Sequence, residues 1–315
     1  MILFSIPVHE KPEVVENQIQ NFLKYNPGAS ILLHISKQMP PEEVAQIQQL
    51  TRIYPQLYIN PTQLYTGWAN GCQFKIHLSN FQYALNQQIP FQYIALHASN
   101  DLFIQYGLQQ YIQNHDAGFD AITPLEHNPV ALQKTNLEKH FFFRRLLNKY
   151  QLKTILPSQL EGTFYHRNIV EILCQRLHPK NTFDFPYLFS IGYHSKNSIR
   201  YKLFSFIEKV LRNLNITIIH PNPLEEVFFP TFAADKIQQS RSFPYCYVNW
   251  AKGLNITQEE IIAIRAKNKQ AWAQHCKQLS YLSPQQVQSI EFFAVKRINR
   301  DISDPLRTYI THELD

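Results

Sequence analysis

The first 122 residues alternate between short apolar runs and stretches whose apolar residues recur at helical spacing. Residues 2–8, 30–35 and 92–97 are apolar runs of strand length, with shorter ones near Leu57 to Ile59 and over 119–122. Between them, 12–25 carries Val14, Val15, Ile19, Phe22 and Leu23; 41–54 carries Val44, Ile47 and Leu50; and 70–88 carries Phe74, Leu78, Phe81 and Leu85. Residues 104–115 also read as a helix. This alternation predicts βαβ units, hence an α/β fold with a mostly parallel central sheet flanked by helices. In such sheets ligands bind outside the carboxyl ends of the strands. Three polar residues fall there: His9 after the first strand, Ser36 after the second and Asp101 after the fourth. Asp101 has an equally ordinary use as the N-cap of 104–115, and His9 as a plain strand-end residue.

The remainder is less periodic. Residues 134–150, 166–178 and 257–279 read as helices and 160–165 as a short strand. Residues 198–214 form an amphipathic basic helix with Arg200, Lys202, Lys209 and Arg212. A solvated helix face is its ordinary meaning, and a membrane- or phosphate-facing role is the alternative. Linker-like composition and internal repeats are lacking, so one continuous domain is expected over 1–315, with 1–125 as a nucleotide-binding half and 126–315 as an acceptor and catalytic half.

Several chemistries are excluded early. The chain has only 8 Gly, with neither G-x-G-x-x-G nor G-x-x-x-x-G-K-[ST], which argues against a Rossmann dinucleotide site and a P-loop. Cys72, Cys174, Cys246 and Cys276 lie far apart without a C-x-x-C, so they read as buried small hydrophobes in a reducing compartment. The net charge of +6 fits an anionic ligand, an anionic membrane surface or nucleic acid, but the absence of a basic run argues against a nucleic-acid arm. The 17 Tyr and 22 Phe fall largely at core spacings, which also sets nucleic acid aside. Met1 to Pro7 reads as a strand and not as a signal peptide, and no apolar run nears the roughly 20 residues of a membrane span. The expected address is the cytoplasm, against the inner face of a membrane where peripheral contact occurs.

One stretch carries the chemistry. In Pro223-Leu224-Glu225-Glu226-Val227-Phe228-Phe229-Pro230-Thr231 two carboxylates adjoin an apolar run with no clear helical or strand period. Charge beside that much aromatic surface is costly unless paired or used. A carboxylate partly desolvated by phenylalanines is raw material for a general base. The competing reading is an exposed loop glutamate.

Eight blocks in order resemble the core-2/I-branching β-1,6-N-acetylglucosaminyltransferase family, which includes peptide O-xylosyltransferases and plant glucuronosyltransferases. Ile6-Pro7-Val8-His9 is similar to that family's first strand. Leu33-His34-Ile35-Ser36 resembles a strand that ordinarily ends in Asp, and Trp68-Ala69-Asn70-Gly71 a Trp-Gly segment before the long helix. Ala98-Ser99-Asn100-Asp101 and Glu161-Gly162-Thr163-Phe164-Tyr165 resemble two further blocks, the latter opening the acceptor side. Glu225 to Thr231 matches the block holding the catalytic base, at Glu226; Tyr247-Val248-Asn249-Trp250 an aromatic block; and Phe292 to Arg297 a block whose Lys, here Lys296, contacts the donor diphosphate. Ser36 stands where the family binds the nucleoside with Asp, and Val295 where it has Arg.

The resemblance implies a GT-A-like, inverting, metal-independent glycosyltransferase using a UDP-sugar. N-acetylglucosamine is the first choice of sugar, with xylose or glucuronate as alternatives. The acceptor would be a glycan or glycolipid of a bacterial surface polysaccharide or lipopolysaccharide. No cofactor and no metal are expected; Lys296, Arg297 and Arg241 would neutralise the diphosphate. Glu226 would be the base, with His9, Ser36 and Asp101 holding the donor. Glu161, Glu225 and Trp250 would face the acceptor, Trp250 having a core position as its alternative. Arg144 and Arg145 could meet an anionic acceptor or simply be solvated at a helix end. A non-catalytic glycan-binding protein on a degenerate transferase fold is the other reading, motivated by Ser36 and Val295.

Overall fold

A computed structural model describes residues 1–66, 72–120, 141–178, 224–238, 240–249, 255–269 and 283–314, together with 199, 202, 203, 206 and 210. The expected alternation is present. Strand β1 (Ile2–Val8) leads to helix α1 (Pro12–Tyr25), β2 (Ser30–Ile35), α2 (Pro41–Ile53), β3 (Leu57–Asn60), α3 (Cys72–Asn86) and β4 (Tyr93–Leu96). β1 lies between β2 and β4, parallel to both, and β2 pairs in parallel with β3. A strand in the middle of such a sheet is covered on both faces, which is why 2–8 reads as continuously apolar and is buried throughout.

Its alternating side chains feed two cores. Ile2, Phe4, Ile6 and Val8 pack with Val15, Ile19 and Phe22 of α1. Leu3 faces the other way, into a core with Phe74, Leu78 and Phe81 of α3. The one polar residue on that face, Ser5, is satisfied from α3: its hydroxyl lies 2.8 Å from His77 Nδ1 and accepts from Asn80 at 2.9 Å.

The sheet continues with material from later in the chain. After β4 come β5 (Leu102–Phe103), α4 (Leu108–Ile112), β6 (Ala117–Gly118), α5 (Phe141–Lys149), β7 (Phe164–His166) and α6 (Arg167–Arg176). Next are α7 (Glu225–Ala233), β8 (Arg241–Ser242), β9 (Cys246–Tyr247), α8 (Gln258–Arg265), α9 (Pro284–Ser289), β10 (Ala294–Val295) and α10 (Pro305–Thr308). Seven strands form one sheet in the order β3-β2-β1-β4-β7-β6-β8, with only β7 reversed; β5-β10-β9 form a second, small sheet. The fold is therefore α/β with a mostly parallel central sheet.

Two local expectations shift. The helix expected over 104–115 is confined to Leu108–Ile112, because Gly107 breaks the backbone just before it with φ 108°. Of the strand expected at 119–122, residues 121–122 lie outside the described residues, and the strand described next to it is Ala117–Gly118. Residues 134–140, most of 198–214, and 270–279 lie outside the described residues.

Candidate active site

The segment around Glu225 and Glu226 is a helix, α7, and not an aperiodic loop. The missing period has a physical cause. All nine residues of α7 are buried, so no polar face exists to impose one. Phe228 lies 5.0 Å from the Phe74 ring and 4.9 Å from that of Phe143, and Phe229 lies 5.2 Å from both Phe74 and Phe81. Glu226 is accordingly no exposed loop carboxylate; it is 9% exposed.

Pro230, inside α7, has no N–H to offer the carbonyl of Glu226 one turn back. That carbonyl accepts the Ser158 N–H at 2.7 Å. Thr231 Oγ1 accepts from the Leu156 N–H at 3.0 Å. Both bonds tie the segment before β7 to the helix, and that segment ends at Glu161.

Glu161 is fixed by the residue after it. Gly162 has φ +77°, and a Cβ there would lie 2.2 Å from the backbone nitrogen of Cys246. Only glycine allows this crossing of β9. The Gly162 N–H donates to Leu96 at the end of β4, and Gln159 Nε2 donates to the carbonyls of both Glu161 and Cys246 at 2.8 Å. Glu161 thus lies beyond the carboxyl end of β4. There its Oε1 meets the ammonium of Lys296, which follows β10. Backbone pairing of the Lys296 N–H with the Tyr247 carbonyl, at 3.1 Å, completes the junction.

Four carboxyl groups gather around Lys296: Asp101, Glu161, Glu225 and Glu226, all buried, while the lysine side chain is 26% exposed. Burial pulls the Lys296 ammonium down, but the charges of Glu161, Asp101 and Glu226 outweigh it and leave the group above its usual value. Burial pushes Glu226 well up, helped by Glu161 and Glu225 and opposed by Lys296. Burial also lifts Glu225, to about 8, although the backbone N–H groups of Glu225 and Phe74 and the Lys296 charge pull it down. Asp101 is raised by burial against the pull of His97. One oxygen each of Glu161, Glu225 and Asp101 is buried without a hydrogen-bond partner among the described residues. A cluster of this kind sets raised carboxyl groups beside one ammonium. It can take up a proton, present a positive charge and accept hydrogen bonds from hydroxyl groups.

The other expected residues are placed as follows. Asp101 does not cap a helix: its Oδ2 accepts from the Ala98 N–H at 2.9 Å and lies 3.0 Å from His97 Nδ1, whose Nε2 is 2.6 Å from the Tyr245 hydroxyl. His9 lies at the rim, 38% exposed, 3.4 Å from Glu10. Ser36 is fully buried and accepts from the Thr66 hydroxyl at 2.9 Å. Its N–H donates to the carbonyl of Val8, which joins the ends of β1 and β2. Arg297 donates to the Asn249 carbonyl at 3.2 Å, and its backbone φ is +69°. Arg241 is exposed on edge strand β8 with its guanidinium 4.9 Å from the Phe119 ring centre. Arg144 and Arg145 are exposed on α5. Trp250 and Trp68 to Gly71 lie outside the described residues.

Sequence reasoning missed Glu10, Arg300 and Lys75. Glu10 is 7% exposed, accepts from Ser99 at 3.0 Å and from Arg300 at 2.7 Å, and so holds an exposed guanidinium beside the strand ends. Its position directly after His9 was the available signal. Lys75 follows Phe74, whose N–H reaches Glu225; burial lowers its ammonium to about 8.

Among the described residues, one set of three metal-type donors converges: His97, Asp101 and Cys246, with donor atoms within 4.8 Å of one another. Both His97 nitrogens are already committed, and burial drives the Cys246 thiol well above its usual value. The His97 ring instead links Asp101 to the Tyr245 hydroxyl, and Cys246 Sγ donates to the Tyr247 carbonyl at 4.0 Å. A separate cavity of about 490 Å³, lined by Met1, Tyr25, Gly28 and Tyr106, lies at the amino end of β1, opposite the carboxyl cluster.

No family model matches the chain, and no curated protein matches it by sequence. Among solved structures it is similar to residues 1–349 of S. aureus TarS, with 11% identity over 54% of this chain and a TM-score of 0.32. The match covers 48% of that structure, about half its length. It is also similar to the mannosyltransferase PcManGT from Pyrobaculum calidifontis, solved with GDP-Man and Mn2+, with 13% identity over 74% of this chain and 68% of that one, and a TM-score of 0.32. At this distance neither structure fixes the chemistry of this chain. No helix among the described residues is long and apolar enough to cross a membrane.

Proposed function

We propose that the chain is an inverting, metal-independent glycosyltransferase of the GT-A type. It would move a sugar, N-acetylglucosamine in the first instance, from a UDP-sugar to a glycan or glycolipid acceptor in bacterial surface polysaccharide or lipopolysaccharide assembly. The reaction would take place in the cytoplasm at the inner membrane face. The observation that carries this reading is the meeting of Glu226 and Lys296 in one buried carboxyl cluster beyond the ends of the parallel strands. A general base and a fixed cation are the two groups that metal-free transfer requires.

In the reaction, the acceptor oxygen bonds to the anomeric carbon as the bond from that carbon to the diphosphate oxygen breaks. The acceptor proton passes to Glu226. The charge that develops on the leaving diphosphate is met by Lys296, which exchanges Glu161 for the phosphate oxygens. Glu161, released, accepts a hydroxyl of the sugar or acceptor. Asp101 and His9 border the donor, Glu225 braces Glu226 against α3, and Arg297 holds the backbone of 249. Arg297 and Arg241 are the further cations proposed for the diphosphate, Arg241 from edge strand β8. Because Glu226 is held above the usual carboxylate range, it must shed its proton first, so kcat/KM rises with pH through that group's ionisation.

The test is calorimetry with UDP, and turnover of UDP-sugars with chelator present. Glu226→Gln should lose on the order of a hundredfold or more in turnover while UDP still binds. Absence of both UDP binding and turnover with every UDP-sugar would remove the proposal. The full burial of Ser36, bonded to Thr66, favours a second reading, a glycan-binding protein without catalysis. That reading has Glu226→Gln leave function in cells intact.

A further inference from the structure

Two cations that follow β10, Lys296 and Arg300, each rest on a carboxylate supplied from another strand end. Lys296 meets Glu161, beyond β4. Arg300 meets Glu10, just after β1, with Nε 2.7 Å from Oε1. In both pairs the carboxylate is buried and the cation is the more exposed partner, Lys296 at 26% and Arg300 at 63%. Glu10 already accepts from the Ser99 hydroxyl at 3.0 Å and lies 3.4 Å from His9.

Both pairs border one loop. The charge of Asp101 acts on Lys296, and Ser99, two residues earlier, donates to Glu10. The Asn100 amide between them donates to the carbonyl of Ile298, midway from Lys296 to Arg300. Buried Arg307 donates to the side chain of Asn100 and to the Asn299 carbonyl, which fixes the loop and the 296–300 segment together. Four residues of chain span at most about 14 Å, a gap that two long side chains can close around a diphosphate. A guanidinium presents five N–H donors in a planar fork, more than one carboxylate oxygen uses, and phosphate oxygens match that fork. An ion pair with one exposed partner contributes little to folding, so Arg300 gives up little when it changes partner.

We propose that Arg300 belongs to the diphosphate site. When a nucleoside diphosphate enters, Arg300 leaves Glu10 for the phosphate oxygens, just as Lys296 leaves Glu161. Glu10 holds the guanidinium beside the strand ends beforehand and weakens donor binding by competing for it. This assignment rests on the nucleotide-sugar donor of the proposed function.

Calorimetry of the full chain with UDP tests this. Arg300→Ala should weaken UDP on the order of tenfold or more. Glu10→Gln, which removes the rival charge, should tighten UDP by about threefold. Arg300→Lys should stay within about fivefold of the parent. Arg52→Ala, an equal loss of charge on exposed α2 at the amino end of β3, should leave UDP within about twofold. A pair that merely fastens residue 300 to the end of β1 is lost in both the Arg300 and the Glu10 variant, so it cannot move UDP in opposite directions. Urea unfolding curves check the fold, and Arg300→Gln replaces Arg300→Ala if the latter unfolds early. The inference is overturned if the Arg300 variant binds UDP as the parent does, if Glu10→Gln weakens UDP as well, or if Arg52→Ala weakens it as much as Arg300→Ala. The proposed function survives all three of those results. A parent that binds no UDP removes the donor itself, and this inference with it.

Discussion

Glu225 offers the sharpest test of the buried cluster. The residue is 6% exposed, and Oε2 of its carboxyl lacks a partner among the described residues. Burial, with the Glu161 charge, carries it from 4.5 to about 8 against three weaker pulls downward. The folded protein therefore keeps a proton that the unfolded chain gives up above 4.5. Stability linked to that proton is complete below the lower value and is lost as the pH rises through the upper one. Each pH unit corresponds to ~1.4 kcal/mol, so the window from 4.5 to about 8 sets a ceiling of ~5 kcal/mol. Relaxation and water entry leave on the order of 2–3 kcal/mol of it. Glu225→Gln has nearly the same shape, keeps an oxygen for the Phe74 N–H and carries no charge at any pH. Urea unfolding across this range should show the parent losing stability toward pH 8 by ~2–3 kcal/mol more than the variant, with the two curves meeting near pH 5. Curves that run parallel, or a variant weaker than the parent at pH 8, would refute the desolvated carboxyl and the cluster built around it.

Other perturbations probe the scaffold. Gly162→Ala places a side chain in the left-handed region and 2.2 Å from the Cys246 nitrogen, so its urea midpoint should report a loss of ~3 kcal/mol or more; a near-neutral result would mean that the turn is not held against β9. His34 and His77 are held neutral, chiefly by burial, with values of about 4 and about 3. Their unfolded counterparts take up protons near 6.5, so stability linked to them is lost as pH falls below that value toward 4. An acid titration of unfolding should show His77→Gln less steep there than the parent, and equal steepness counts against the neutral pair. Phe228→Ala empties a fully buried position among Phe74, Phe143 and Phe232 and should cost ~3–5 kcal/mol in the same urea assay.

Much of the sheet was legible because its strands are buried on both faces and its helices on one. The first gives continuous apolar runs and the second a helical period, so β1, α1 and β2 appear at 2–8, 12–25 and 30–35 in both sequence and structure. Legibility failed where burial was complete. α7 has neither polar face nor alternation, and its glutamates looked as though they belonged to a loop. The short strands β5, β6, β8, β9 and β10, two residues each, are too brief to write any pattern. Their pairing is set by contacts from distant parts of the chain, such as Ala294 opposite Phe103. The site was legible in part. Asp101 stood out by the strand-end rule and Glu226 by its place beside the phenylalanines, whereas Lys296 and Glu161 came from block order and not from any local signal. Arg241 stands on edge strand β8, and position along the chain says nothing of which edge of the sheet a late strand joins.

Two backbone residues explain why the cluster forms where it does. Pro230 reads in sequence as a helix breaker, yet it lies in the interior of α7. Its missing N–H leaves the Glu226 carbonyl open on the side from which Ser158 donates. Gly162 is one of only 8 glycines, spent where the chain must cross β9 at van der Waals range. Between these two residues runs the tether from Glu226 through Ser158 to Glu161, and from Glu161 to Lys296. Neither residue carries a charge. Both act by denying the backbone an ordinary option, a helical hydrogen bond in one case and a side chain in the other. The carboxyl groups are then confined to separations at which burial and mutual repulsion raise them together. The proton-holding capacity of the cluster thus originates in main-chain geometry, and the titrating side chains only express it.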